Sequence, residues 1–346
     1  MAGHWKPLFC FVGLCRPPNA GQNAFMNAEL TQEQLQKYLT VLNEVQRYRN
    51  LTDKEKEHLV RSVIEKPYMD LRCDWAFKHV FNDLNSVKML LEDILPEDIQ
   101  SVEKLEHLPN EIDKMRPDDK NIIMDVLIKT QDGREIIVEM QRKKKVSFKN
   151  RMLYYGASML HGQLKQKESY SKLRPVYVIC FMDYTLPHDT DQLIYRFVLR
   201  ETTSGEWYGP QLSLFFCELP RLKKASMNGL DPVESWFFIL KNMSTFAGRP
   251  EDMGERYSVV AKASRMTDLL DEEKLKYFRG MVTEEERLDI GQAYYEDGVV
   301  DGMSKAKSDT ALKMLQKSYS LEEICDITGL SEKEIIKLKN GICAKL

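Results

Sequence analysis

The chain has 346 residues, of which 43% are hydrophobic and 10% aromatic, and its formal net charge is −3. This composition can build a sizeable core, which excludes a wholly disordered chain. A net charge so close to zero also excludes a generally basic nucleic-acid binder, whereas a local basic patch stays compatible with it.

The seven cysteines are scattered along the chain without a C-x-x-C pair. This pattern predicts free thiols in a reducing, cytoplasmic compartment. No apolar run approaches the ~18 residues that span a membrane. The short apolar stretch 5–14 contains Lys6 and Pro7 and has no small-residue cleavage site, so we do not expect a signal peptide. We expect residues 1–25 to be an unstructured leader, with Met26 as an alternative start.

Helical periodicity dominates the first part of the chain. Apolar residues at helical spacing predict helices over 31–47, 53–64 and 74–95. Pro67 and Pro96 follow the second and the third helix, where a proline ends the helical pattern. Residues 1–66 are therefore predicted to be a leader and a helical extension.

The pattern then changes to short β-branched runs. Residues 122–128 and 135–141 read as strands on either side of a turn that contains Gly133. A helix over 150–165 follows, and further strands are predicted at 175–182, 193–199 and 212–219. This order predicts an α/β domain over 67–245, with a mixed sheet flanked by helices.

The chain after Pro220 reads as helical. The predicted helices cover 232–242, 258–270, 284–295 and 305–317. Two capping boxes, at Ser320 and Ser331, lie on either side of Gly329 and predict a helix-turn-helix over 321–338, at the end of a helical region 246–346. The mixed charge of its second helix leaves two roles open, DNA reading and control or oligomerisation.

The hairpin carries the strongest candidates for catalytic side chains. Residues two apart on a strand face the same way, so Glu139 and Gln141 share one face of the sheet. A two-residue loop would send Asp125 to the opposite face, whereas a three-residue loop over 132–134 pairs Asp125 with Gln141. We predict the three-residue loop, because it leaves apolar residues for the other face: Val126, Ile128, Val138 and Met140.

Two carboxylates a few ångströms apart suit a hard cation such as Mg²⁺ and repel each other without one. A bound cation would lower the pKa of a water and neutralise charge on a phosphate oxygen, as metal-assisted phosphodiester hydrolysis requires. Basic residues that could hold a phosphate backbone follow directly: Arg142, Lys143, Lys144, Lys145, Lys149 and Arg151. The competing interpretation of this pattern is a salt-bridged surface.

Several strings of the sequence point to a known family. They are Asp74-Trp75-Ala76-Phe77-Lys78-His79-Val80-Phe81, Asp125-Val126, Asp132-Gly133, Val138-Glu139-Met140-Gln141 and Arg151-Met152-Leu153-Tyr154-Tyr155. Their combination resembles the Rpn/YhgA-like family of recombination-promoting nucleases, also labelled PD-(D/E)XK nuclease family transposases. The similarity covers roughly residues 70 to 340.

The resemblance implies a restriction-endonuclease-like fold and Mg²⁺-dependent DNA cleavage, with Asp125 and Glu139 as metal ligands. It places Gln141 where many relatives of the wider superfamily carry a catalytic lysine, whereas this family typically has Gln there. Which basic residue substitutes is left open among Lys120, Lys143, Lys144 and Arg151, and Lys120 also joins the expected DNA-binding residues. Asp74 maps to an acidic position on the first helix, where it either helps to hold the metal or orients the site.

The leading hypothesis is a cytoplasmic, Mg²⁺-dependent DNA endonuclease of low sequence specificity, acting in recombination, mobile-element movement or defence. The alternative is a catalytically inactive DNA-binding or regulatory protein that keeps the nuclease fold, and a third hypothesis is a transposase that also joins strands. DNA is the expected partner, and a homo-oligomer is left open. Neither a membrane nor a small-molecule cofactor is expected.

Overall fold

The computed structural model describes residues 30–95, 104–112, 122–144, 147–317, 319–332, 334–336 and 338. Within these ranges, only the backbone of residues 112 and 284–305 is described. The leader predicted over 1–25, together with Lys120 and Lys145, lies outside the described residues.

Two N-terminal helices agree with the predicted helical extension: α1 (Gln32–Glu44) and α2 (Asp53–Ile64). Thr52 fixes the start of α2, because its hydroxyl accepts a hydrogen bond from the Glu55 backbone N–H and its own N–H donates to the Glu55 carboxylate. This reciprocal capping satisfies two backbone groups that a helix start otherwise leaves without partners.

The helix predicted over 74–95 is in fact two helices: α3 (Asp74–Val80) and α4 (Leu84–Ile94). Asp83 begins the second one, since its carboxylate accepts hydrogen bonds from the backbone N–H groups of Asn85 and Ser86 at 3.3 and 2.9 Å. The prediction of one helix was wrong because apolar residues recur at helical spacing on both sides of this cap.

The strands, in chain order, are β1 (Leu105–His107), β2 (Glu111–Ile112), β3 (Ile122–Ile123), β4 (Val126–Thr130), β5 (Glu135–Gln141), β6 (Val176–Met182), β7 (Ile194–Val198) and β8 (Leu212–Glu218). Within the described residues, six of them form one sheet in the order β1-β4-β5-β6-β8-β7, and β2 pairs with β3. Strands β5, β6 and β8 are parallel, whereas β1, β4 and β7 pair antiparallel with their neighbours. Strands β1 and β2 were not predicted.

Helix α5 (Phe148–Gly162) covers one face of this sheet. Its buried Phe148, Met152 and Met159 join the core cluster of the strands. Gly156 lets the helix approach closely, since a Cβ atom there would lie 2.6 Å from Leu212 Cδ1 and 3.2 Å from Val178 Cγ2.

Helix α6 (Pro232–Asn242) lies on the opposite face, where Phe237 packs on Phe181 of β6 with ring centroids 6.2 Å apart. Its start is locally encoded, because Asp231 and Glu234 form a capping box and Pro232 takes the first helical position. Helices on both faces of a mixed sheet confirm the predicted α/β class.

The C-terminal helices are α7 (Ser258–Ala263), α8 (Asp271–Gln316) and α9 (Leu321–Thr328). The helix predicted over 258–270 ends early, because the chain at 264–266 pairs with residues 67–69 through two backbone hydrogen bonds of 2.9 Å. The helices predicted over 284–295 and 305–317 are one continuous helix, α8. The segment between them contains Gly298 and Gly302 but no proline, and a glycine inside a helix costs only about 1 kcal/mol.

The chain divides into two compact units, of which the second contains residues 45–47 and 281 onwards. In that unit the end of α8 and the helix-turn-helix region share a small core: Ala311, Met314, Ile324 and Ile335. The capping box at Ser320 is confirmed, and Gly329 ends α9 in the left-handed conformation. The division at 66 and 245 stays a prediction. Among the described residues, no helix combines the length and the hydropathy that a membrane crossing requires.

Candidate functional site

The β4–β5 hairpin sets the geometry of the site. Val126 pairs with Val138, so the loop consists of residues 131–133 instead of the predicted 132–134. Gly133 has φ +86° and donates its N–H to the Thr130 carbonyl at 2.9 Å. The residue with positive φ comes last in this kind of three-residue loop, and glycine adopts that conformation without strain. The predicted register was wrong by two residues, although the odd loop length was right.

Asp125 therefore lies opposite Glu139, and both are buried, with 8% and 3% of their surface exposed. The Asp125 backbone N–H donates to Glu139 Oε1 at 3.1 Å, and the Met140 N–H donates to Asp125 Oδ2 at 2.9 Å. Burial and then the charge of Glu139 raise the pKa of Asp125 well above its usual range. Burial likewise raises the pKa of Glu139 to about 7, against the opposing charge of Arg151.

Lys78 of α3 reaches this carboxylate pair from one side. Its Nζ lies 3.2 Å from Asp125 Oδ1 and 2.7 Å from Asp74 Oδ1. Burial alone would lower the pKa of the Lys78 ammonium, but the carboxylates of Asp125 and Asp74 outweigh it and raise that pKa. Lys78 was not among the predicted site residues. The available signal was its position four residues after Asp74, which places both side chains on one helix face.

Arg151 of α5 reaches the pair from the other side, through Gln141. Arg151 Nη2 donates to Gln141 Oε1, and Gln141 Nε2 donates to Glu139 Oε2 at 3.2 Å. The guanidinium also lies 5.9 Å from the ring centroid of Tyr155. The Arg151 Nε is buried and has no hydrogen-bond partner among the described residues. Gln141 thus connects a cation to the carboxylates instead of supplying a charge itself.

The described basic residues after β5 differ in their exposure and in their partners. Lys144 and Lys149 are exposed, and Lys143 is partly buried. The Arg142 side chain is only 17% exposed, and its Nη2 lies 3.9 Å from Asp70 Oδ2. The structure therefore brings Arg151 to the predicted acidic residues, while it directs Arg142 toward Asp70.

The donors at this site fit a hard divalent cation. Asp125 and Glu139 offer carboxylate oxygens, and a cation between them would offset the repulsion of two buried like charges. Among the described residues, no cluster of three or more His, Cys, Asp and Glu side chains is arranged to hold a metal. The remaining ligands of a cation at this pair would therefore be other oxygens, and Mg²⁺ in particular retains several waters in proteins.

These features define an α/β domain with an acidic site at the carboxyl ends of its parallel strands, the edge where open α/β sheets bind ligands. The chain matches a family model described as PD-(D/E)XK nuclease family transposase over residues 71–290, and it belongs to that family. No curated protein and no solved structure matches it. Membership confirms the resemblance and indicates a nuclease-related function. Together with the six-stranded sheet of the described residues, it confirms the restriction-endonuclease-like class.

Proposed function

We propose that this protein is a Mg²⁺-dependent DNA endonuclease of low sequence specificity. The observation that carries the proposal is the buried pair of Asp125 and Glu139 in a chain of this family. A buried pair of like charges is costly to keep and suits a site that binds a cation. Recombination, mobile-element movement and defence are the settings in which such an activity would work.

In this mechanism Asp125 and Glu139 would hold the cation, which supplies a lowered pKa for a water and neutralises charge on a phosphate oxygen. The water oxygen forms a bond to phosphorus while the bond from phosphorus to a sugar oxygen breaks. The attacking water loses a proton to solvent, and the departing oxygen gains one from solvent. Lys144 and Lys149, both exposed, would contact neighbouring phosphates. Phosphate contacts carry no direct sequence information, in keeping with low specificity.

A cytoplasmic location belongs to the same proposal. Cys180, Cys217 and Cys325 are free thiols, a state that a reducing compartment preserves.

The test is cleavage of supercoiled plasmid by the purified chain with Mg²⁺ or with EDTA. We expect nicking that needs Mg²⁺ and that falls by about 10³-fold or more in Asp125→Ala and in Glu139→Ala, because each removes a metal ligand. Glu106→Ala is the matched control, since Glu106 is an exposed carboxylate on β1. A parent chain that binds DNA but never nicks it would contradict the proposal.

Such a result would favour the alternative, a catalytically inactive DNA-binding or regulatory protein. The observation on its side is the neutral Gln141 at the carboxylate pair. Joined DNA products in the same assay would instead support a transposase that also transfers strands.

A further inference from the structure

Position 141, two residues after Glu139 on β5, carries a neutral amide and supplies no positive charge to the carboxylate pair. Phosphodiester hydrolysis builds negative charge on the phosphate oxygens, and a fixed positive group next to them stabilises the transition state. The described residues contain two cations that reach the pair, Lys78 and Arg151. Their surroundings decide which one is available to a phosphate.

Arg151 is held by contacts within the protein. Its Nη2 donates to Gln141, and its guanidinium lies against the Tyr155 ring. These contacts hold the arginine beside Glu139 and orient Gln141. Arg151 therefore positions Gln141 at the end of β5, and these contacts keep it from moving toward a substrate.

Lys78 is placed differently, at the boundary between the pair and solvent. Its Nζ lies 3.2 Å from Asp125 Oδ1, and its side chain is 32% exposed. Asp74, whose side chain is 50% exposed, anchors the ammonium at 2.7 Å from the outer side. A cation that occupies Asp125 would take one partner from Lys78, whereas Asp74 would still hold the ammonium next to the site.

We propose that Lys78 is a catalytic residue of this nuclease site, where its ammonium contacts a non-bridging oxygen of the scissile phosphate and Asp74 positions it. A lysine suits this task because its ammonium is a compact charge with three donors on a flexible stem. Lys78 keeps its proton throughout, while the bond from water oxygen to phosphorus forms and the bond from phosphorus to sugar oxygen breaks. This inference rests on the proposed function and assigns the positive charge that position 141 does not provide.

The experiment compares Lys78→Met and Lys78→Arg with Lys88→Met. Lys88 is the matched control, because it also pairs with a carboxylate four residues away on a helix, Glu92 at 3.8 Å, and is 39% exposed. Three quantities are measured on each protein: single-turnover plasmid cleavage in Mg²⁺, DNA affinity in Ca²⁺, and affinity for Mn²⁺ alone by titration calorimetry. Thermal unfolding shows whether each variant is folded, and Lys78→Gln replaces Lys78→Met if the latter is not.

We expect Lys78→Met to lower the cleavage rate by about 100-fold or more, with DNA affinity in Ca²⁺ changed by no more than about threefold. Its Mn²⁺ affinity is expected to equal or exceed that of the parent, because an ammonium no longer competes for Asp125. Lys78→Arg keeps the charge and is expected to retain more activity than Lys78→Met. Lys88→Met is expected to match the parent in all three quantities.

Two outcomes would overturn the proposed role of Lys78 and leave the proposed function intact. One is a parent that cleaves together with a Lys78→Met variant that cleaves equally fast. The other is a Lys78→Met variant that loses Mn²⁺ binding, since that would make the lysine a structural support of Asp125. A parent that binds Mn²⁺ and DNA but shows no cleavage would instead overturn the proposed function, and this inference with it.

Discussion

Two buried acidic sites lie at the same end of the parallel strands and differ in how their charge is balanced. Glu218 ends β8, and both it and Gln141 are in register with Met182 of the intervening strand. The Glu218 carboxylate is fully buried. It accepts hydrogen bonds from Arg221 Nε and, at 3.1 Å, from the Leu186 backbone N–H. His188 Nε2 lies 2.9 Å from the same group.

The Glu218 site is a closed cluster, because Arg221 also bonds to Asp191 and lies 5.2 Å from the Tyr195 ring. There the buried carboxylate bonds directly to a guanidinium. At the other site Asp125 and Glu139 lie side by side, and Glu139 accepts hydrogen bonds from two neutral donors, the Asp125 N–H and the Gln141 amide. Burial is common to both sites, so burial alone does not indicate function. A buried carboxylate bonded directly to a guanidinium therefore indicates a structural site, whereas two adjacent buried carboxylates indicate a candidate ligand site.

Exchange of one acidic group at each site should separate the two sites most clearly. Glu139→Gln is expected to lower DNA cleavage by about 10³-fold, because it removes a proposed metal ligand. Its melting temperature should not fall, since it also removes one of two repelling charges. Glu218→Gln should keep cleavage but lower Tm by about 5 °C, because it leaves Arg221 without its buried partner. Cleavage rates and thermal unfolding measure the two effects.

The control for both variants is Glu206→Gln, which changes an exposed carboxylate. If Glu218→Gln abolished cleavage without lowering Tm, the two sites would form one functional centre and the distinction between them would be wrong.

Addition of a divalent cation should also distinguish the two sites, by a smaller difference. Ca²⁺ is expected to raise the Tm of the metal-free parent, because a ligand that binds only the folded state at 100 times its Kd adds about 2.7 kcal/mol of stability. Glu218→Gln should show the same rise, and Asp125→Asn should not. Scanning fluorimetry in EDTA and in Ca²⁺ measures it. An equal rise in the parent and in Asp125→Asn would place the cation elsewhere.

A smaller change still is expected at Asp70, another acidic group that bonds directly to a guanidinium. Burial would raise the pKa of Asp70, but hydrogen bonds from Arg72 at 2.8 and 2.9 Å outweigh it and lower that pKa. Because the pKa is lower in the folded state, the pair stabilises the fold above the unfolded pKa, and this contribution is lost as pH falls through the folded value. Asp70→Asn should therefore lower Tm more at neutral pH than in acid.

Melting curves of the metal-free protein, recorded from neutral pH into acid, measure the difference. Asp189→Asn is the control, because Asp189 is exposed. A loss of Tm that is equal at both ends of the range would show that Asp70 stabilises the fold through packing instead of charge.

The sequence predicted those elements best whose boundaries are encoded locally. Helices α2 and α6 begin and end at the predicted residues, and each begins with a capping box. The strand β5 is also correct from Glu135 to Gln141. Strand β1 was missed, because its three residues pair with β4 more than twenty positions away and have no pattern of their own. The break at Asp83 was missed because a cap can interrupt a helix without interrupting its apolar spacing.

The parts of the candidate site that depend on local patterns were also predictable. Alternation along β5 placed Glu139 and Gln141 on one face, and the odd loop length brought Asp125 to that face. The register depended on where Gly133 falls within the loop, which spacing alone does not fix. The contact of Lys78 with Asp125 and the turn of Arg142 toward Asp70 join segments distant in sequence. Local patterns do not encode such contacts, because they depend on how the chain folds back on itself.

The close approach of α5 to the sheet at Gly156 makes a non-polar position relevant to the chemistry of the site. Arg151 lies little more than one turn before Gly156 on the same helix, so the separation of that helix from the strands fixes how far the guanidinium extends toward Gln141. With any larger residue at 156, either the Leu212 side chain would rotate away or the helix would rise from the sheet. In the second case the Arg151–Gln141 hydrogen bond would stretch. A substitution at this buried glycine thus changes the electrostatics of the carboxylate pair by displacing α5.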